Sequence, residues 1–210
     1  MSVSLKNIDE PYATDQLLAK ARSGDRAAVG QLLEPYRNYL GLLARLQIAG
    51  RLQGKVDSAD LVQDTFLEAH RHMDTFRGTT EAELVGWLQT ILTGLLANMI
   101  RRYLGTQRRD ARLELDLAIH LTDSSRALDR ALLAPNSTPS QGAMRREHAV
   151  VLANALEKLP TDYREVLILH HLEGLRFPEV AQRMNRSVDS VKNLWARGLS
   201  RLRRSMKELE

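Results

Sequence analysis

The sequence predicts an all-α protein: two helical domains joined by a flexible linker, the C-terminal one a helix-turn-helix. Three observations carry that prediction. Apolar residues recur at helical spacing through most of the chain, and no segment alternates as a half-buried strand does. From about Gln107 to Met144 the character changes, and Thr122 to Gly142 is rich in Ser, Ala and Pro and poor in core-forming residues. From Leu175 onward a short helix, a tight turn and a long basic helix follow one another. The expected division is 12–106 for the first domain, 107–144 for the linker and 145–208 for the second domain.

Each element has its own signals. Thr14 or Asp15 opens a short helix that ends near Gly24. Asp25 opens a longer one through Leu32, Leu33, Tyr36, Leu40, Leu43 and Leu46. Pro35 lies inside it and kinks it, because proline removes one hydrogen bond and crowds the preceding turn. Gly50 to Lys55 is a polar connection. Asp57 to Asp60 is a capped start with acidic residues near the positive helix end. The helix it opens turns Leu61, Val62, Thr65, Phe66, Ala69 and Met73 inward and Gln63, Asp64, Glu68 and Arg71 outward. Phe76 to Thr79 is a loop. Thr80 with Glu83 makes a capping box for a helix running to about Leu104. Its stripe is Leu84, Trp87/Leu88, Ile91/Leu92, Leu95, Met99, Ile100 and Tyr103, with Gly105 as the stop. Beyond it, Asp110 to Leu121 is expected as a loose helix.

In the second domain a helix from about Arg145 to Lys158 breaks at Pro160. A second runs from about Asp162 to Glu173, with Gly174 as its stop. Pro178 fits the first turn of the next helix, where its missing N–H costs nothing. Asn185 tolerates the left-handed turn, and Ser187 caps the helix from Val188 to Met206. In that last helix Val188, Val191, Trp195 and Leu202 form the buried stripe. Asp189, Ser190, Lys192, Asn193, Arg197, Arg201 and Arg204 fall on other faces, where they can offer donors to a DNA groove.

Composition narrows the class. The chain has 210 residues, 43% of them hydrophobic and 27% charged, which suits one or two soluble domains. The formal net charge is only +4, but the basic residues cluster. Arg101, Arg102, Arg108 and Arg109 form one group, and Arg197, Arg201, Arg203, Arg204 and Lys207 another. Two basic patches suit contacts with a polyanion. There is no cysteine, which removes disulfides, thiolate metal sites and cysteine nucleophiles. The first ten residues lack the apolar core of a signal peptide, and no apolar run suggests a membrane span. The expectation is a cytoplasmic protein without membrane insertion.

No catalytic constellation emerges. The 6 histidines show no metal-ligand spacing, and His170 and His171 are expected to point in different directions on one helix. Gly78 and Gly86 are isolated and cradle no phosphate; no serine has a nucleophile-elbow context. The reading is a protein that is not an enzyme, with no metal and no cofactor. Trp87 and Trp195 lie on apolar stripes and read as core. Phe76 has two readings: a loop aromatic beside Arg77 that stacks on an unpaired base, or a plug for the end of the helical core.

Together these segments resemble the extracytoplasmic-function sigma factors, bacterial transcription initiation factors of the sigma-70 family. The anchors are Asp60 to Ala69, Phe76-Arg77-Gly78 with Trp87-Leu88, Leu156 to Leu167 leading to Glu173-Gly174-Leu175, and Glu179-Val180-Ala181 through Ser187 to Lys192 and Arg197. The resemblance implies that 12–106 is region 2, which binds core RNA polymerase and recognises and melts the minus-ten element. It implies that 145–208 is region 4, which recognises the minus-thirty-five element. Asp60, Leu61, Gln63 and Asp64 would hold the polymerase. Phe76, Arg77, Asn98, Arg101 and Arg102 would meet minus-ten DNA. Gly94 stands where many relatives carry Asn, and Asn98 is the neighbour able to supply that contact. Ser187, Ser190, Lys192, Asn193, Arg197 and Arg201 would meet minus-thirty-five DNA. Core RNA polymerase and promoter DNA are the implied partners, with an anti-sigma protein as a further one. A free-standing helix-turn-helix regulator is the alternative. It explains the C-terminal half equally well but not the segment Asp60 to Ala69.

Overall fold

The structure is a computed structural model that describes residues 11–51, 57–104, 117, 119 and 142–208. Every element among them is helical. Residue contacts divide the chain into two units, Met1–Leu121 and Thr122–Glu210.

In the first unit α1 spans Pro11–Arg22 and α2 spans Arg26–Leu33. Gly24 takes φ +93° in the turn between them, a conformation that an L side chain resists. The Asp25 carboxylate then accepts from the N–H groups of Ala27 and Ala28 at 2.9 and 3.1 Å and so caps α2. The proline effect expected at Pro35 is a full interruption. A single 3₁₀ turn, Glu34–Tyr36, separates α2 from α3, which spans Arg37–Arg51.

Next come α4, Ser58–His72, and α5, Glu81–Leu104. α1 packs on α2, and α4 packs on both α3 and α5. Tyr39, Leu40, Leu43, Leu61, Leu88 and Leu92 are fully buried where α3, α4 and α5 meet. Each such aliphatic side chain contributes about 1.5–3 kcal/mol of transfer free energy. Two polar side chains that enter are paired. The Thr65 hydroxyl donates to the Leu61 carbonyl at 2.7 Å, and the Gln89 amide donates to the Tyr39 hydroxyl at 2.6 Å.

The apolar stripe of α5 is rotated from the expected one. Leu84, Val85, Leu88, Leu92, Leu96 and Ile100 are buried, whereas Trp87, Ile91, Leu95 and Met99 are half-buried. α5 is apolar nearly all round, so its period fixes the helix but not the phase of its core face. Among the described residues Glu81–Arg102 is long and apolar enough to cross a membrane. The burial of Leu84, Leu88, Leu92 and Leu96 shows how the folded unit uses that apolarity.

The expected linker lies mostly outside the described residues, as do Gly105, Arg108, Arg109 and most of the loose helix expected from Asp110 to Leu121. Leu117 and Ile119 are helical, the first fully buried and the second exposed. Residues 142–144, expected as linker, already belong to α6, Gly142–Glu157.

In the second unit Pro160 precedes α7, Thr161–Leu167, which continues as a π-helical turn, Ile168–Leu172. The Glu173 N–H donates to the Ile168 carbonyl at 3.0 Å, five residues back. Gly174 stops the element with φ +74°. α8 is Phe177–Arg183 and α9 is Val188–Lys207. α9 packs on α6, α7 and α8. Leu152, Leu156, Val166, Leu169, Val180, Val191 and Leu202 form the core.

Candidate nucleic-acid and polymerase interfaces

The helix-turn-helix follows from local chemistry. Pro178 sits in the first turn of α8, and the Glu179 carboxylate accepts from the Arg176 N–H at 2.6 Å. Asn185 takes φ 51° between α8 and α9. The Ser187 hydroxyl accepts from the Ser190 N–H at 3.2 Å and caps α9. Asp189 lies in the first turn of α9 and Arg204 and Lys207 in the last, each complementing the helix dipole.

One face of α9 is fixed inward by Val191, Gly198 and Leu202. Lys192, Asn193, Arg197, Arg201 and Arg204 are exposed, and Ser190 is half-buried. The second unit therefore presents a cationic and amide-bearing helix face beside a capped N-terminus.

A cluster of rings braces this motif from behind. The Trp195 indole N–H donates to His171 Nε2 at 2.9 Å. His170 stacks on Phe177, with ring centroids 4.3 Å apart, and its Nδ1–H donates to the Leu175 carbonyl at 2.8 Å. The rings of His170 and His171 stand edge to face at 5.0 Å, which corrects the expectation that they point apart. Both lie in the π-helical turn, whose wider winding changes the angle between successive side chains. Burial, and secondarily the nearby His170, push the His171 imidazole below the usual histidine value.

In the first unit the Asp57 carboxylate caps α4 by accepting from the Ala59 N–H at 2.9 Å. Asp60, Gln63 and Asp64 are exposed along α4, and neither carboxylate has an ion-pair partner among the described residues. Glu68, farther along, is paired with Arg71 at 2.6 Å. Leu61 is fully buried, so it packs the core and does not belong to the exposed face. Leu67 does: it is 47% exposed, the one large aliphatic on that face. Its signal in the sequence was an apolar residue three positions after Asp64, out of phase with the inward stripe.

Phe76 is the plug of its two readings. It is 5% exposed, its ring 5.0 Å from that of Trp87 and beneath the Arg22 guanidinium at 5.6 Å. Its ring is therefore not offered for base stacking. Arg22 Nη2 also donates to the Gly78 carbonyl. A side chain at Gly78 would run into the Phe76 ring and stand 2.8 Å from Glu83 Cβ, so the loop closes only around glycine.

The loop is tied at its far end by Glu83. Its carboxylate accepts from the N–H groups of Thr79 and Thr80 at 2.8 and 3.0 Å and from the Thr80 hydroxyl at 2.9 Å. The Thr80 hydroxyl accepts from the Glu83 N–H at 3.2 Å, completing the capping box. The Thr79 N–H, then the Thr80 hydroxyl, hold the Glu83 carboxyl below the usual carboxylate range. Arg77 is exposed and donates to the Asp74 carbonyl at 2.6 Å.

Asn98, Arg101 and Arg102 lie within one turn at the other end of α5, with Arg101 donating to Asn98 Oδ1. At 1.5 Å per residue this turn is about 25 Å along α5 from the loop. The structure thus brings Asn98 and Arg101 together and keeps Arg77 apart from them.

The comparisons with known proteins follow this layout. The sigma-70 region 2 family model matches residues 36–105, and the sigma-70 region 4 model matches residues 149–202. The ECF RNA polymerase sigma factor SigE of Mycolicibacterium smegmatis is 31% identical over 197 residues, 93% of this chain and 68% of that protein. The chain belongs to the extracytoplasmic-function sigma factors of RNA polymerase.

The ECF RNA polymerase sigma-E factor of Haemophilus influenzae is 28% identical over 86% of this chain and 88% of its own length. SigW of Bacillus subtilis is 24% identical over 91% and 96%. The solved structure of CnrH in complex with the cytosolic domain of CnrY is 27% identical, covering 93% of this chain and 98% of that one, at a TM-score of 0.34. The sigma factor directs RNA polymerase to promoters and promotes initiation. The family is one of transcription factors and not a class of enzymes. A free-standing regulator accounts for 149–202 and leaves the match over 36–105 without explanation. The region 2 match covers α3 to α5, so Arg22 in α1 grips a matched loop from outside the matched segment.

Proposed function

We propose a division of labour within this sigma factor. The exposed face of α4, with Asp60, Gln63, Asp64 and Leu67, docks on core RNA polymerase. Arg77 in the loop and the turn of Asn98, Arg101 and Arg102 meet the minus-ten element. Ser190, Lys192, Asn193, Arg197 and Arg201 meet the minus-thirty-five element, and Ser187 shapes the entry to that helix. The corresponding domains are 12–106 and 145–208, with 107–144 between them, working in the cytoplasm where the polymerase is.

The observation that carries this reading is the split face of α9. Val191, Gly198 and Leu202 are inside while Lys192, Asn193 and Arg197 are exposed on a capped helix. The first turns of such a helix reach base edges, and later residues reach phosphates. Asn193→Ala should relax preference at one promoter position, at a cost of about 1–3 kcal/mol for a bidentate contact to adenine. Arg204→Ala should weaken binding to every promoter alike and flatten the salt dependence. The full chain with core polymerase, titrated on promoter variants at several salt concentrations, tests both. An unchanged ranking of promoter variants with Asn193→Ala removes that residue from base readout.

A further inference from the structure

Some described arginines of the second unit are paired with carboxylates, and others, Arg197 and Arg201 among them, are not. Arg164 and Arg186 are paired with carboxylates, Glu157 at 2.5 Å and Asp162 at 2.6 Å. Arg197 and Arg201 have no such partner among the described residues, although both are exposed on α9. They line one open concavity with Tyr163, Ala196 and Ser200. The Arg201 guanidinium lies over the Tyr163 ring, 4.8 Å from its centroid. A carboxylate would cancel the charge of Arg201, whereas an aromatic face restrains the guanidinium and leaves the N–H groups at its edge free to donate.

The approach of α9 to α7 makes this arrangement possible. A Cβ at Gly198 would stand 3.3 Å from the Tyr163 carbonyl oxygen and 3.4 Å from Tyr163 Cβ, a tight fit that glycine relieves where the two backbones approach. Gly198 is buried in that contact, one turn before Leu202 and beside Arg201 in the winding of the helix.

We propose that the concavity seats a phosphodiester of the nucleic-acid backbone, with Arg197 and Arg201 as donors and Tyr163 as the positioning residue that holds Arg201; the Ser200 hydroxyl lines the seat while donating to the Ala196 carbonyl at 3.1 Å. The chemistry selects the ligand. Two guanidiniums without a carboxylate partner among the described residues line one concavity, and a tetrahedral anion with several acceptor oxygens can accept from both. The seat begins at Ala196, beyond Lys192 and Asn193, so its contribution is to affinity and register and not to base choice. The proposal rests on the reading of α9 as the recognition helix.

The test uses the full chain bound to core polymerase, with promoter duplexes titrated over a range of salt concentrations. Arg201→Ala and Tyr163→Leu should each weaken binding about three- to tenfold on every promoter, and Arg201→Ala should lower the salt slope by about one. Tyr163→Phe keeps the aromatic face and should bind as the wild type does. The double variant Tyr163→Leu/Arg201→Ala should be no weaker than Arg201→Ala, because the ring acts through the guanidinium. Additive losses, or wild-type affinity and slope in Arg201→Ala, would overturn the proposal. So would lost affinity for core polymerase with promoter contacts intact, which would assign the concavity to an acidic protein surface. Should Tyr163→Leu melt early, Arg201→Ala with Arg201→Lys decides the matter through the salt slope alone. Failure of the recognition-helix reading has its own signature: Lys192→Ala and Asn193→Ala would then leave promoter binding unchanged as well.

Discussion

The Trp195 indole donates to Nε2 of His171, joining the middle of α9 to the π-helical end of α7 across 24 residues of sequence. The bond requires an unprotonated Nε2, so a neutral His171 carries its proton on Nδ1. A protonated His171 has no lone pair to offer, and Trp195 loses its acceptor.

This bond predicts a pH response. The folded state lowers the His171 pKa, so the unfolded chain binds that proton more readily. The stability contributed by neutral His171 is complete above the unfolded value, about 6.5. It is lost as pH falls through the lower folded value. Thermal melts of the full chain from pH 8 to pH 5 should show the second unit weakening at the acid end. His171→Gln retains an acceptor and does not titrate, so it should flatten that portion of the profile. An unaltered profile in His171→Gln would place the pH dependence elsewhere.

Leu61 and Leu67 share α4 and have opposite surroundings, the first fully buried and the second 47% exposed. Leu61→Ala should cost roughly 2–5 kcal/mol of stability through transfer and cavity effects. Leu67→Ala should change stability by less than about 0.5 kcal/mol while reducing affinity for core polymerase. Asp64→Arg, also exposed, should abolish pull-down of core polymerase while leaving helicity nearly unchanged. Circular dichroism and pull-down on the same three preparations separate the two roles. Full core affinity in both Asp64→Arg and Leu67→Ala would remove α4 as the docking surface.

Phe76 and Arg77 are adjacent and are assigned different tasks. With its ring against Trp87 and under Arg22, Phe76→Ala should destabilise the first unit by about 3–5 kcal/mol. Arg77→Ala should leave the melting temperature alone and reduce promoter opening. Permanganate reactivity of promoter thymines reads the opening, and thermal unfolding reads the stability. A stable Phe76→Ala that fails to open promoters would return the ring to base capture.

Features made by neighbours in sequence were legible without coordinates. Pro35, Asn185, Ser187 and the Thr80–Glu83 box each act over three or four residues, and their types state what the backbone does there. What was hidden depends on distant partners or on phase. Arg22 meets the Gly78 carbonyl across 56 residues, and nothing local to either announces it. Leu95 and Leu96 exchange expected burial because α5 offers apolar side chains to several directions. The pairing of His170 with His171 rests on a π-helical turn, for which the local residue types give no signal. The close approach of Gly198 to Tyr163 spans distant segments, and nothing local to either announces it.

The loop between α4 and α5 is gripped on its main chain. Arg22 holds the carbonyl of Gly78, and Glu83 holds the N–H groups of Thr79 and Thr80. None of these three grips depends on the side chain at position 77 or 79. Those two side chains are exposed and add only single hydrogen bonds of their own, Arg77 to the Asp74 carbonyl at 2.6 Å and the Thr79 hydroxyl to the Glu83 carboxylate at 3.5 Å, so exchanging them leaves the three main-chain grips in place. For an evolving lineage or a designer this is a cassette: new side chains can be sampled at two positions without rebuilding the scaffold that displays them.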